Sequence, residues 1–302
     1  ILGDTQSTAE DLDGKNYLAG EGEIKIPYSM IGLQEFLSFI PSLTSDQREI
    51  VATAYGDIFD DAMINLNNGE IPQIPYSQLY SKIDQIGQAI SSRATANARR
   101  RTENGIRNSR LLTDQVSNWF LQLVENKFTN IYLGSLGQYQ RSLLVGASAR
   151  ILQRLRRLGS IPPFVMILDE AHLFLPAGEG TPSTRVLREM IRTARHDAIG
   201  MVLISQSPSS FDKQILMTCN TRMIFALDPE DLRVVSGQLG DLPQAALDRI
   251  PRMGRGRAVI TSGMDILRHP VTINIRERTS TTHKAETPDM VEAVKNWRDQ
   301  NL

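Results

Sequence analysis

Cysteine is nearly absent: Cys219 is the single one in 302 residues. A disulfide framework and a thiolate metal site within the chain are both excluded, and the usage suits a reducing cytoplasm. Neither sign of charge dominates, with 33 basic and 34 acidic residues and a formal net charge of −1. Bulk electrostatics therefore favour no polyanionic partner, and only local clusters can do so. No apolar run approaches the roughly 20 residues that a membrane span needs, so no membrane partner is expected. The N-terminus lacks a signal-peptide pattern and also lacks an initiator Met. It opens on Ile-Leu-Gly followed by turn residues, which reads as the end of a strand already in progress. The sequence is expected to begin inside a larger protein. No internal repeat is visible. What remains is the composition of an ordinary globular chain, 41% hydrophobic and 22% charged.

Four stretches differ in texture. Residues 1–27 are polar and turn-rich, the expected remnant of an upstream part of the core. Residues 28–127 carry mostly helical periodicity, as in MIGLQEFLSFI (30–40) and SDQREIVATAYGDIFDDAMINL (45–66), the latter with Ser45 as expected N-cap. Residues 128–278 alternate short apolar runs with helical patterns: NIYLGSL, LLVGASARILQRLRRL, PFVMIL, PSTRVLREMIRTARHD, IGMVLISQ, RMIFAL, DPEDLRVVSGQL, RAVITS and PVTINI. That alternation predicts an α/β fold with a largely parallel sheet covered by helices on both faces. Residues 279–302 begin with a polar linker and end in a helical pattern that places Met290, Val291, Val294 and Trp297 on one face. A helix of that length is marginal alone and is expected to dock on a surface.

The strand FVMIL runs directly into Asp169 and Glu170. Ligands of open parallel sheets bind at the carboxyl ends of the strands. Two readings follow: a strand end with two solvated acids, or a hydrolase pair. In the second, the first acid holds a Mg²⁺-bound water and the other orients or deprotonates an attacking water. The next strand ends in Ser205 and Gln206, and Gln206 either starts a loop or senses a γ-phosphate. Between these strands, Val186, Leu187, Met190, Ile191 and Ala194 form one helix face, while Arg185, Arg188, Arg192 and Arg195 form the other. Only Glu189 dilutes that basic row. It is either a solvated face or a surface for an anionic partner, such as a neighbouring subunit's nucleotide or DNA. Residues 91–110 set Arg93, Arg99, Arg100, Arg101, Arg107 and Arg110 against Glu103, again a solvated face or a phosphate-contacting patch.

Taken in order, VMILDEAHLFLP (165–176), REMIRTARHDAIGMVLISQSPSSFD (188–212), CNTRMIFALDPED (219–231) and LDRIPRMGRGRAVI (247–260) resemble the HerA/FtsK group of ring-forming ATPases, HerA-type proteins most closely. The likeness is densest over 130–278, with weaker support from IKIPYSMIGLQEFL (24–37) and NIYLGSL…RSLLVGASARIL (130–152). It implies a RecA-like core that binds ATP and Mg²⁺ and acts as a homo-hexamer on double-stranded DNA with a nuclease partner. Asp169 then matches the metal-associated acid, Glu170 the catalytic acid, and Gln206 the γ-phosphate sensor. Arg195, and less closely Arg192, matches the arginine supplied to the neighbour's ATP. Separately from the resemblance, Arg99, Arg100 and Arg101 of the 91–110 run are the residues that would contact nucleic acid if that run is a phosphate-contacting patch.

The chain departs from the family in three places. Arg192-Thr193-Ala194-Arg195-His196 stands for the commoner Arg-Glu-Gly-Arg-Lys, and Gln206-Ser207-Pro208 for Gln-Arg-Pro. No Gly-x-x-x-x-Gly-Lys-[Ser/Thr] phosphate loop occurs; the sole Gly-Lys pair, at 14–15, continues to Asn16. The loop is expected upstream of residue 1, leaving the chain inactive alone and its sheet incomplete near Ile1–Asp4. Two alternatives stay open: a conjugation or secretion motor of the same superfamily, and a non-catalytic assembly module. The Asp-Glu-Ala-His run also occurs in superfamily-two helicases. Those place Ser-Ala-Thr after the next strand, where this chain has Ser-Gln-Ser-Pro, and His172 is then expected to pack or hydrogen-bond rather than react.

Overall fold

A computed structural model describes residues 2–3, 14–19, 24–40, 42–115, 128–236, 242–262 and 266–276. The expected docking helix within 279–302 lies outside the described residues. Five strands form a wholly parallel sheet: β1 (Leu2–Gly3), β2 (Lys15–Leu18), β5 (Thr129–Tyr132), β6 (Phe164–Leu168) and β7 (Ile199–Leu203), in the order β2-β5-β1-β6-β7. The fold is mixed α/β. Three further strands, β8 (Arg222–Ile224), β9 (Arg257–Thr261) and β10 (Val271–Asn274), form a separate antiparallel sheet in the order β10-β9-β8. The sequence pattern does not separate these two sheets, because short apolar runs read alike whichever partner they take.

A helical layer lies between β3 (Ile26–Pro27) and β4 (Leu112–Thr113), which pair with each other in parallel. It contains α1 (Leu33–Ser38), α2 (Ser45–Asn67), α3 (Tyr76–Gln88) and α4 (Ser92–Ser109). Thr44, not Ser45, is the N-cap of α2, and the Gln47 side chain accepts the Thr44 N–H at 3.2 Å. The layer is held by an aromatic cluster in which the Phe36 and Tyr55 rings stack with centroids 4.0 Å apart. The Tyr55 hydroxyl is buried and donates toward the carbonyls of Tyr28 (2.7 Å) and Ile31 (2.8 Å). Burial pushes its pKa well above that of a free tyrosine, so it stays a donor at any working pH. Replacing Tyr55 by Phe leaves those buried carbonyls without this donor and is expected to cost about 1–3 kcal/mol. Urea denaturation checks this, with an unchanged midpoint as the contrary result.

On the sheet, α5 (Gln138–Arg157) and α6 (Thr184–Thr193) pack closely. Gly146 permits the approach: a Cβ there would come within 3.0 Å of the Ser183 Cα. Ser142 Oγ accepts the Ser183 N–H at 3.0 Å at the same crossing. The buried side chains Met166, Leu168, Leu187 and Met190 fill this side of the sheet.

Two expectations are corrected. The open part of the sheet is not at its first residues, because Leu2 pairs with both Ile131 and Leu168 and β1 therefore sits in the interior. Nor, among the described residues, are both faces covered. The parallel register puts Val165, Ile167, Val202 and Ile204 on one face of β6 and β7. Val165 is 61% exposed, Val202 42% and Ile204 46%. β7 is also the edge strand of its sheet, and Met223 and Phe225 of the separate β8 region are exposed too. Accordingly, the buried core divides into one large cluster and a small one around Ile224, Val235, Ile250 and Val259.

Candidate active site at the ends of two parallel strands

β6 and β7 run parallel and end side by side, with Leu168 registered to Leu203. The turns beyond them are tied together by backbone bonds: Ile204 N–H donates to the Leu168 carbonyl (2.9 Å), and Ala171 N–H to the Ile204 carbonyl (2.8 Å). Between these bonds the chain turns sharply at Glu170, which has φ 49° and ψ 45°. A left-handed conformation on a non-glycine residue costs roughly 1–3 kcal/mol and persists where surrounding contacts enforce it. Here it accompanies a direct contact across the strand ends: Gln206 Nε2 donates to Glu170 Oε1 at 2.6 Å.

The structure thus brings Asp169, Glu170 and Gln206 to one edge. Asp169 is half-buried, and its Oδ1 accepts the Glu170 N–H at 3.0 Å. Among the described residues, no group of three His, Cys, Asp or Glu side chains could hold a metal. A single carboxylate fits a Mg²⁺ that keeps most of its waters and takes other ligands from phosphate, rather than one caged by protein. His172, on the turn following Glu170, lies with Nδ1 3.3 Å from Glu170 Oε2. The expectation that His172 packs or hydrogen-bonds is compatible with this position, but its contact with Glu170 is not visible in the sequence. It arises because the tight turn folds residue 172 back over residue 170.

Arg192 and Arg195 stand apart from that edge. Arg192 is on the last turn of α6, and Arg195 is in the turn beyond it; both are exposed. Among the described residues neither guanidinium has a hydrogen-bond or ion-pair partner, so both are available to something outside this chain. The turn that carries Arg195 is itself fixed. Arg157 donates to Asp197 Oδ1 (3.0 Å), and Gln153 Nε2 donates to Asp197 Oδ2 and Thr193 Oγ1, both at 2.7 Å. The Arg157 hydrogen bond, together with that of Gln153, holds the Asp197 carboxyl below the usual carboxylate range. Not all of the basic row faces outward: Arg188 is half-buried and donates to Asp212 Oδ2 through Nε at 2.7 Å. Asp212 caps α7 (Lys213–Thr218), so Arg188 ties α6 to α7.

The Arg99–Arg101 cluster lies on α4, in the helical layer. Arg99 is paired with Asp84 (2.5 Å) and Glu103 (3.1 Å) and sits over the Tyr80 ring, and Arg101 donates to the Ser42 carbonyl. Arg100 is exposed and contacts Asn97 at 3.3 Å.

Comparison with known proteins bears on the chain as a whole. No protein-family model matches the chain. The DNA double-strand break repair helicase HerA of Pyrococcus furiosus is 33% identical over 99 residues, 32% of this chain and 18% of that protein. HerA of Sulfurisphaera tokodaii is 22% identical over 166 residues, 55% of this chain and 32% of that protein. This chain is a distant, partial homologue of the HerA helicases. Among solved structures, VirB4 of Thermoanaerobacter pseudethanolicus superposes with a TM-score of 0.61 at 14% identity, covering 89% of this chain and 78% of that one. The likeness to VirB4 is one of fold. The matched stretch is less than a third of the length of each of these two HerA proteins. Among the described residues, no helix is long and apolar enough to cross a membrane.

Proposed function

We propose that these residues form the catalytic part of a HerA-type, ATP-driven DNA translocase, active as a homo-hexamer on double-stranded DNA with a nuclease partner. The observation that carries the reading is the Gln206–Glu170 hydrogen bond of 2.6 Å at the carboxyl edge of two parallel strands. A carboxylate there can accept a proton from water, and an amide beside it can report on a nearby phosphate. Asp169 would hold a largely hydrated Mg²⁺. Arg195, with Arg192 beside it, would reach the ATP of a neighbouring subunit. Within the helical layer, Arg100 would be the more available contact for DNA phosphate, since it has only a long bond to Asn97 whereas Arg99 is paired with two carboxylates and Arg101 is bonded to the Ser42 carbonyl.

We further propose that the phosphate-binding loop comes from sequence outside these 302 residues. Among the described residues at this edge, none replaces the run of backbone N–H groups, the lysine and the hydroxyl of such a loop. The exposed face of Val165, Val202 and Ile204 supports this, since parallel sheets are normally covered on both faces. A glycine-rich loop leads into a helix, and that helix would supply the cover.

Calorimetric titration with Mg-ATP, coupled to a phosphate-release assay, tests the reading. The full-length protein should bind and hydrolyse ATP, faster with double-stranded DNA. The 302-residue chain should bind weakly or not at all and release no phosphate. Micromolar affinity with turnover in the short chain would place the phosphate site within these residues. A full-length protein without DNA-stimulated hydrolysis would remove the translocase reading.

A further inference from the structure

His172 Nδ1 stands between two oxygens. It lies 3.3 Å from Glu170 Oε2 and 3.2 Å from Ser205 Oγ. Glu170 Oε2 is buried and has no hydrogen-bond partner of good geometry, whereas Oε1 is held by Gln206. Ser205 is in turn fixed by the Ser207 N–H, which donates to its Oγ at 3.3 Å. The two side chains are only partly accessible, His172 at 23% and Glu170 at 28%. A buried carboxylate oxygen without a donor is costly, and the nearest group able to supply one is the imidazole.

We propose that His172 is a positioning residue for Glu170, with Ser205 selecting which way its Nδ1 hydrogen bond runs. With the proton on Nδ1, His172 donates to Glu170 Oε2, and the carboxylate is gripped at both oxygens, by Gln206 and by His172. With Nδ1 unprotonated, the imidazole accepts from the Ser205 hydroxyl and leaves Oε2 bare. The carboxylate is then held through one oxygen alone, by Gln206, and is free to turn toward the reacting water. The grip spans both strand ends, so a change at the turn after β7 is transmitted to Glu170 through Ser205 as well as through Gln206. The exchange is a tautomer shift of the neutral imidazole: the Nδ1 proton passes to solvent while Nε2 takes one up, so the net charge is unchanged. The proposal rests on the reading of Glu170 as the residue that activates water.

Steady-state ATP hydrolysis by the full-length protein, with nucleotide affinity measured in parallel, separates positioning from packing. His172→Asn can place an amide N–H close to where Nδ1 stands; His172→Phe preserves the ring shape and removes the hydrogen bond. Positioning predicts that Phe lowers kcat by about 10–100-fold with KM little changed, since small misplacement of a reacting group costs up to about 100-fold. Asn should recover most of that loss, and Ser205→Ala should fall between the two. In a Glu170→Gln background, adding His172→Phe should bring no further loss. Packing predicts the reverse order, with Phe tolerated and Asn damaging, and that result overturns the proposal. Loss on Glu170→Gln but wild-type turnover in His172→Phe defeats the positioning role alone. Wild-type turnover in Glu170→Gln defeats the reading of Glu170 and this proposal together.

Discussion

Replacing Arg195 by Ala is expected to lower ATP turnover by about 10³–10⁵-fold, the range for losing an arginine supplied to a transferring phosphoryl group. Nucleotide binding should survive, because the residue lies away from the Asp169–Glu170 edge of its own subunit and is exposed in a turn beyond α6. The turn is held from beneath by Asp197 through Arg157 and Gln153, so truncating the outward side chain leaves its support in place. Subunit mixing provides the sharper check. Arg195→Ala subunits combined with Glu170→Gln subunits create some interfaces that pair an intact arginine with an intact acid. Activity should partly return when subunits exchange. Mixtures that exchange and stay inactive contradict action across an interface.

Glu170→Gln is expected to slow hydrolysis by at least about 100-fold, the lower end for losing general-base catalysis. The change is conservative in shape, and the structure explains why it should leave the fold intact. Gln206 Nε2 donates to Glu170 Oε1, and the amide oxygen of a glutamine can accept the same bond. The left-handed turn at residue 170 is fixed by backbone bonds on either side, Ala171 to Ile204 and Leu173 to Glu170, which the substitution does not touch. What disappears is the ability to take a proton from water. ATP binding should persist, and ATP should accumulate on the protein unhydrolysed.

The β6–Asp169–Glu170 and β7–Gln206 pairing was legible in the sequence because two apolar runs each end in a polar pair, a pattern set by local chemistry. The outward position of Arg192 followed from helical periodicity in the same way, whereas the helix ends at Thr193 and Arg195 is exposed in the turn beyond it, which periodicity did not show. Arg188 did not follow from it either, since its partner Asp212 lies 24 residues further on and periodicity carries no information about such contacts. The approach of His172 Nδ1 to Glu170 Oε2 accompanies a single left-handed residue, and nothing in the run Asp-Glu-Ala-His announces it. The position of β1 was missed for a related reason. A short strand of two residues shows no periodicity, and only its pairing with both β5 and β6 places it inside the sheet.

The most direct measurement is single-turnover hydrolysis of radiolabelled Mg-ATP by the full-length protein, wild type beside Glu170→Gln, with bound nucleotide quantified in the same samples. The account predicts equal loading of ATP and a rate at least about 100-fold lower in the variant. Equal loading with an equal rate would show that water is activated elsewhere and that the strand-end carboxylate is not the catalytic group.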